Sequence, residues 1–170
     1  MAIIKSIRGF TPKMGENCFL AENAVVVGDV IMGNNCTVWF NAVVRGDVNS
    51  IAIGNNTNIQ DGAVIHCTYQ KTKTIIGNNV SIGHTAVVHG CTVEDNVLIG
   101  MGAIIMDEAI IGTGSVIAAG AVVLAGTKVE PGTIYAGMPA KKVKDIGDEM
   151  TQVIARTAKN YPMYAEWFNE

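Results

Sequence analysis

The chain has 170 residues, 49% of them hydrophobic and only 16% charged, with 19 glycines and a formal net charge of −3. That length suits one domain with a sizeable core, and few aromatics with abundant Gly, Val, Ile and Ala argue against a helical bundle or a disordered chain. The mild negative charge leaves no electrostatic footprint for nucleic acid.

No apolar run approaches the roughly 18 residues of a membrane span. The start, Met1-Ala2-Ile3-Ile4-Lys5, has no signal-peptide pattern. The expected partners therefore exclude nucleic acid and membrane, and the expected location is cytoplasmic. The four cysteines, Cys18, Cys36, Cys67 and Cys91, form no CxxC pair, so neither a disulfide framework nor a cysteine zinc knuckle is implied. Cys36 occupies an inward small-residue position, and buried, inert thiols are expected throughout.

A period of six dominates from residue 11 to residue 139. Aliphatic residues recur at Leu20, Val26, Met32, Val38 and Val44, then at Ile53, Ile59 and Ile65, and again at Ile76, Ile82 and Val88. The series runs on through Val93, Ile99, Ile105, Ile111, Ile117, Val123 and Val129. A small or β-branched residue follows four positions later, as at Ala63, Ala86, Ala103 and Ser115. Neither the helical period nor a long alternation explains this pattern. It predicts an all-β solenoid of very short strands joined by tight turns, with Gly-Asn-Asn triplets such as Gly33-Asn34-Asn35 and Gly54-Asn55-Asn56 supplying turn conformations. Here the sequence resembles the hexapeptide-repeat family, which implies a left-handed parallel β-helix with three hexads per coil and a homotrimer with parallel axes.

Beyond Pro131 and Tyr135-Ala136-Gly137-Met138-Pro139 the period changes. Val143, Ile146, Met150, Val153, Ile154, Ala158 and Tyr161 follow helical spacing. The expected organisation is a β-helix domain over 1–139, with an N-terminal cap over about 1–16, followed by a C-terminal helix over 140–170. Solenoids need covered ends.

The register breaks three times: nine residues separate Val44 from Ile53, eleven separate Ile65 from Ile76, and five separate Val88 from Val93. All three histidines of the chain, His66, His84 and His89, lie between or beside these breaks. Three hexads return the chain to the same face one coil up, so Arg45, His66 and His89 form one ladder with rungs roughly 4.8 Å apart. Asp61 and His84 form a second ladder at another edge. Two imidazoles one rung apart suit two ligands of one tetrahedral ion. His84 cannot easily reach that ion in its own chain, but in a threefold oligomer its edge can face the other pair. The count predicts a three-histidine metal site between subunits, with a fourth position open for water.

The resemblance then narrows to the gamma-class carbonic anhydrases. It rests on Arg45-Gly46-Asp47, Gln60-Asp61, His66, Ile82-Gly83-His84, the His84-x4-His89 spacing, Val88-His89-Gly90-Cys91 and Leu98-Ile99-Gly100-Met101-Gly102. By that resemblance His66 and His89 of one chain and His84 of the next hold the metal. Gln60 orients the metal-bound hydroxide or bicarbonate, Arg45 and Asp47 form an intersubunit ion pair and help bind bicarbonate, and Asp61 stands behind the ligands at the interface. Tyr135 resembles a tyrosine that lines the site in related proteins, with edge packing as the competing role. The implied reaction is reversible hydration of carbon dioxide by a metal-bound hydroxide. Zinc is the default ion for three imidazoles, and iron(II) or cobalt(II) suit the same ligands.

Two departures stand out. Gly137 replaces an asparagine of the family archetype, and the archetype's acidic proton-shuttle loop is replaced by Cys67-Thr68-Tyr69-Gln70-Lys71-Thr72-Lys73-Thr74, which holds no carboxylate. Two other functions therefore stay open. One is a slow or inactive metal-containing trimeric scaffold or small-ligand binder. The other is acyl transfer from coenzyme A, which would use a free imidazole as general base.

Overall fold

The inward aliphatic of each hexad stacks on its successors to form three ladders, one per face of a triangular prism. The computed structural model describes residues 1–168. On the first face Val44 pairs in parallel with Val26 and Ile65, Ile65 with Val88, Val88 with Ile105, and Ile105 with Val123. On the second face the stack runs Val38, Ile59, Ile82, Ile99, Ile117 and Tyr135. On the third it runs Met32, Ile53, Ile76, Val93, Ile111 and Val129. These side chains are all buried, so a parallel β-helix forms because each hexad contributes one aliphatic and one small residue to a continuous core.

The turns obey the same logic. At the edge between the third and second faces, Asn35, Asn56, Asn79 and Asn96 adopt φ of 53–57°, a left-handed conformation that asparagine tolerates better than most residues. Their carboxamides bond rung to rung: Asn35 donates to Asn56, Asn56 to Asn79 and Asn79 to Asn96, each at 3.1 Å.

The three register breaks fall on one edge, between the first and third faces. Pairing continues on both sides of them: Val44↔Ile65 on the first face and Ile51↔Thr74 on the third. The extra residues of the first two breaks therefore lie outside the core, the third break is one residue short of a hexad, and the core stays in step across all three.

The C-terminal stretch differs from the expected helix over 140–170. Ala140–Asp145 is a strand that returns antiparallel to Thr133–Gly137, and the helix occupies Asp148–Glu166. Val143 and Ile146 thus precede the helix, their helical spacing notwithstanding, because the turn after Gly137 folds the chain back onto the last rung. Residues 169 and 170 lie outside the described residues. The helix packs on the second face, burying Ile154, Ala158 and Ala165. Tyr161 meets Trp39 edge-on with centroids 5.5 Å apart. Outward polar groups of this face are satisfied beside it: Asn58 donates to Ser81 at 2.8 Å, and Trp39 Nε1 to Thr37 at 2.9 Å.

Among the described residues the first face has no such cover in the single chain. Its outward positions are Val25, Val43, Val64, Val87, Ile104 and Val122, an unbroken aliphatic stripe. At the N-terminal end, Ile3–Lys5 adds one further parallel rung beside Val25–Val27. No helix among the described residues is long and apolar enough to cross a membrane.

Candidate metal centre

Parallel pairing of Val87–His89 with Val64–His66 puts His66 and His89 in register on adjacent rungs. Alternation along each strand turns both outward, because Ile65 and Val88 point in. His66 Nδ1 and His89 Nε2 face each other at 3.2 Å. Two nitrogens bound at 2.0–2.1 Å to one tetrahedral ion stand about 3.3 Å apart, so the pair already has the span of two metal ligands.

The other nitrogen of each ring is occupied by a carboxylate. Asp47 Oδ1 lies 3.0 Å from His66 Nε2, and Asp107 Oδ1 lies 2.5 Å from His89 Nδ1. A carboxylate draws the imidazole proton to the nitrogen it faces. Both facing nitrogens are then lone-pair acceptors, and two acceptors at 3.2 Å need a cation or a proton between them. The donor set therefore fits a divalent ion. Burial also pushes the His66 pKa down, with Arg45 and His89 adding to that and Asp47 opposing it. A neutral ring is the form that binds metal.

The carboxylates are themselves held. Burial pushes Asp47 upward, but hydrogen bonds from Arg45 and His66 outweigh it and leave its pKa below the usual range. Arg45 reaches Asp47 Oδ2 at 2.6 Å within the same chain. The family resemblance implies such a pair between subunits; within one chain the two residues, separated only by Gly46, also meet directly. Asp107 is likewise pushed up by burial and brought below its ordinary pKa by hydrogen bonds from Thr68 and His89. Thr68 Oγ1 donates to Asp107 Oδ2 at 2.5 Å.

Gly90, at φ +56°, makes this approach possible: a Cβ there would collide with Asp107 and with Thr72. Thr74 braces the same edge, donating to the His66 carbonyl at 2.5 Å and accepting from the Gly90 amide at 3.0 Å.

His84 stands elsewhere. It follows Gly83, whose position against the Ile99 carbonyl leaves no room for a Cβ. It lies at the opposite border of the first face, where its Nδ1 meets Asp61 Oδ2 at 2.8 Å. That contact matches the second ladder read from the hexad count. Among the described residues no group of three His, Cys, Asp or Glu converges within one chain. Each of the three histidines thus has one carboxylate on one nitrogen and the other nitrogen uncommitted by it.

The remaining expected residues divide. Gln60 is buried beside Asp61 and donates to Asn58 at 3.0 Å, on the His84 border. Tyr135 is not brought to the histidines: it fills the inward position above Ile117 in the core, because it continues an aliphatic ladder. Asp107 and Thr68 were missed by sequence reading. The ladder count carried one coil further reaches Met106, and Asp107 follows it on the turn, so the count alone stops one residue short of it.

Similarity to known proteins agrees with this geometry. A model of the bacterial transferase hexapeptide (six repeats) matches residues 11–46 and 90–125. A carbonic anhydrase of Geobacillus kaustophilus is 37% identical over 98% of this chain and 91% of its own length. Gamma carbonic anhydrase 2, mitochondrial, of Arabidopsis thaliana is 40% identical over 89% of this chain, which spans 56% of that protein. A crystal structure of a hexapeptide transferase family protein from Anaplasma phagocytophilum superposes with a TM-score of 0.93 at 37% identity, covering 98% of both chains. With the hexad core, the paired imidazoles and these relatives together, the chain belongs to the gamma carbonic anhydrase-like family of hexapeptide-repeat proteins.

Proposed function

We propose that three copies of the chain assemble about a threefold axis, with His66 and His89 of one copy and His84 of the next holding a divalent ion, and that the protein hydrates carbon dioxide reversibly. The observation that carries this reading is the 3.2 Å separation of His66 Nδ1 and His89 Nε2, each ring backed by a carboxylate. The aliphatic stripe from Val25 to Val122 supports the assembly, since it runs between the His84 border and the His66/His89 border. Apolar stripes of this kind mark protein interfaces. Packing three such faces around one axis brings each His84 border to a neighbour's histidine pair.

When bound, the ion supplies a nucleophile at neutral pH by lowering the pKa of water from 15.7 to roughly 7. The chain's own residues do the rest. Asp47, Asp107 and Asp61 hold the ring protons away from the ligating nitrogens. Gln60, on the His84 border, orients the substrate by hydrogen bonding, and Arg45 offers a guanidinium to bicarbonate. Zinc is the expected ion, with iron(II) and cobalt(II) as competitors for the same donors.

The absence of any carboxylate from Cys67 to Thr74 favours a second reading, a metal-tied trimeric scaffold with little turnover. Stopped-flow hydration of carbon dioxide, run without oxygen on metal-free and metal-reloaded protein, separates the two. A metal-dependent rate that vanishes in His89→Ala is the expected result. A trimer that binds one ion per chain yet shows no rate establishes the scaffold. Protein that binds no metal overturns both and favours acyl transfer.

A further inference from the structure

We infer that Asp107 is a positioning residue that fixes both the tautomer of His89 and the path of the 67–74 excursion, an inference that rests on the three-histidine reading above. One oxygen, Oδ1, accepts from His89 Nδ1 at 2.5 Å, while Oδ2 accepts from Thr68 Oγ1 at 2.5 Å. A single carboxylate one coil above the ligand pair thus joins an imidazole to the loop beside it. The register explains how: the Glu108 amide donates to the Gly90 carbonyl at 2.8 Å, which brings residue 107 alongside Gly90, where the missing Cβ leaves room for its side chain.

The partition of the two oxygens is what assigns the role. With Oδ2 satisfied by a hydroxyl, Oδ1 is free to face Nδ1 alone, and the His89 proton stays there. Nε2 is left as the lone pair that meets His66. Carboxylates placed this way behind metal-bound imidazoles change metal affinity by roughly 10- to 100-fold. Asp107 itself touches neither ion nor substrate, so its effect passes through His89.

Zinc affinity measured by competition against a chromophoric chelator tests the assignment, with the visible spectrum of the cobalt(II)-loaded protein as a second signature. Asp107→Ala is expected to bind zinc roughly 10- to 100-fold more weakly and to alter the cobalt spectrum, and Asp107→Asn, which keeps an acceptor oxygen, to fall between it and the wild type. Nitrogen-15 spectra of the metal-free wild-type protein read the same point without any substitution: His89 is expected to carry its proton on Nδ1. Wild-type affinity in Asp107→Ala, or a proton on Nε2 of His89, overturns the inference and leaves the three-histidine reading intact. Wild-type protein that binds neither zinc nor cobalt removes both.

Discussion

Two edges of the prism are built from opposite materials. The edge between the third and second faces repeats one residue at one position, and the carboxamides of Asn35, Asn56, Asn79 and Asn96 bond to each other, coil after coil. The edge between the first and third faces repeats nothing. It varies in length over three successive coils and links unlike groups: Arg45 to Asp47, Asp47 to His66, His89 to Asp107, and Asp107 to Thr68. The first edge carries the fold's periodicity in its hydrogen bonds. The second is released from periodicity because Val44, Ile65 and Val88 on one side, and Ile53, Ile76 and Val93 on the other, keep the core in register without it.

That contrast is broken most sharply at a proposed metal ligand. His89→Ala should bring carbon dioxide hydration to background and remove the bound ion, while the metal-free protein keeps its secondary structure by circular dichroism. An equal loss of folded signal would mean that the irregular edge is structural too. Next in size is a charge on the uncovered stripe. Val87→Asp should convert the proposed trimer to single chains by mass measurement, because a carboxylate buried without a partner costs several kcal/mol. Gly90→Ala should come third, destabilising the chain by about 1–3 kcal/mol in denaturant titration through its left-handed backbone, and weakening metal binding through displacement of Asp107. Asn56→Ala should be the mildest. Loss of one rung of amide hydrogen bonds is worth about 1 kcal/mol, with hydration activity unchanged at a temperature where the variant is folded.

Much of the molecule was legible in the sequence because each inward position obeys one rule. Ile59 and Ile82 pair as the count requires, and so do His66 and His89. The Asp61–His84 contact followed from the same arithmetic. Where the reading failed, a local pattern imitated another element or depended on side-chain reach. Val143 and Ile146 match a helical period, yet a turn after Gly137 sends residues 140–145 back as a strand. Of the two roles that the motif offered Tyr135, site lining and packing, its place in the aliphatic ladder supplies the packing one. Asp107 lies on a turn, off the strand register, and only the side-chain geometry connects it to His89.

The three breaks that fall on one edge have a consequence for how this protein can change. An insertion or deletion between Val44 and Ile53 or between Ile65 and Ile76 alters only the length of an outward excursion, and the Val88–Val93 link, one residue short of a hexad, keeps the same core register. Elsewhere, a single added residue would rotate every later aliphatic out of the prism. Length variation is thus confined to the strip that borders the paired imidazoles, and chemistry can be retuned there by adding or trimming residues while the scaffold stays untouched.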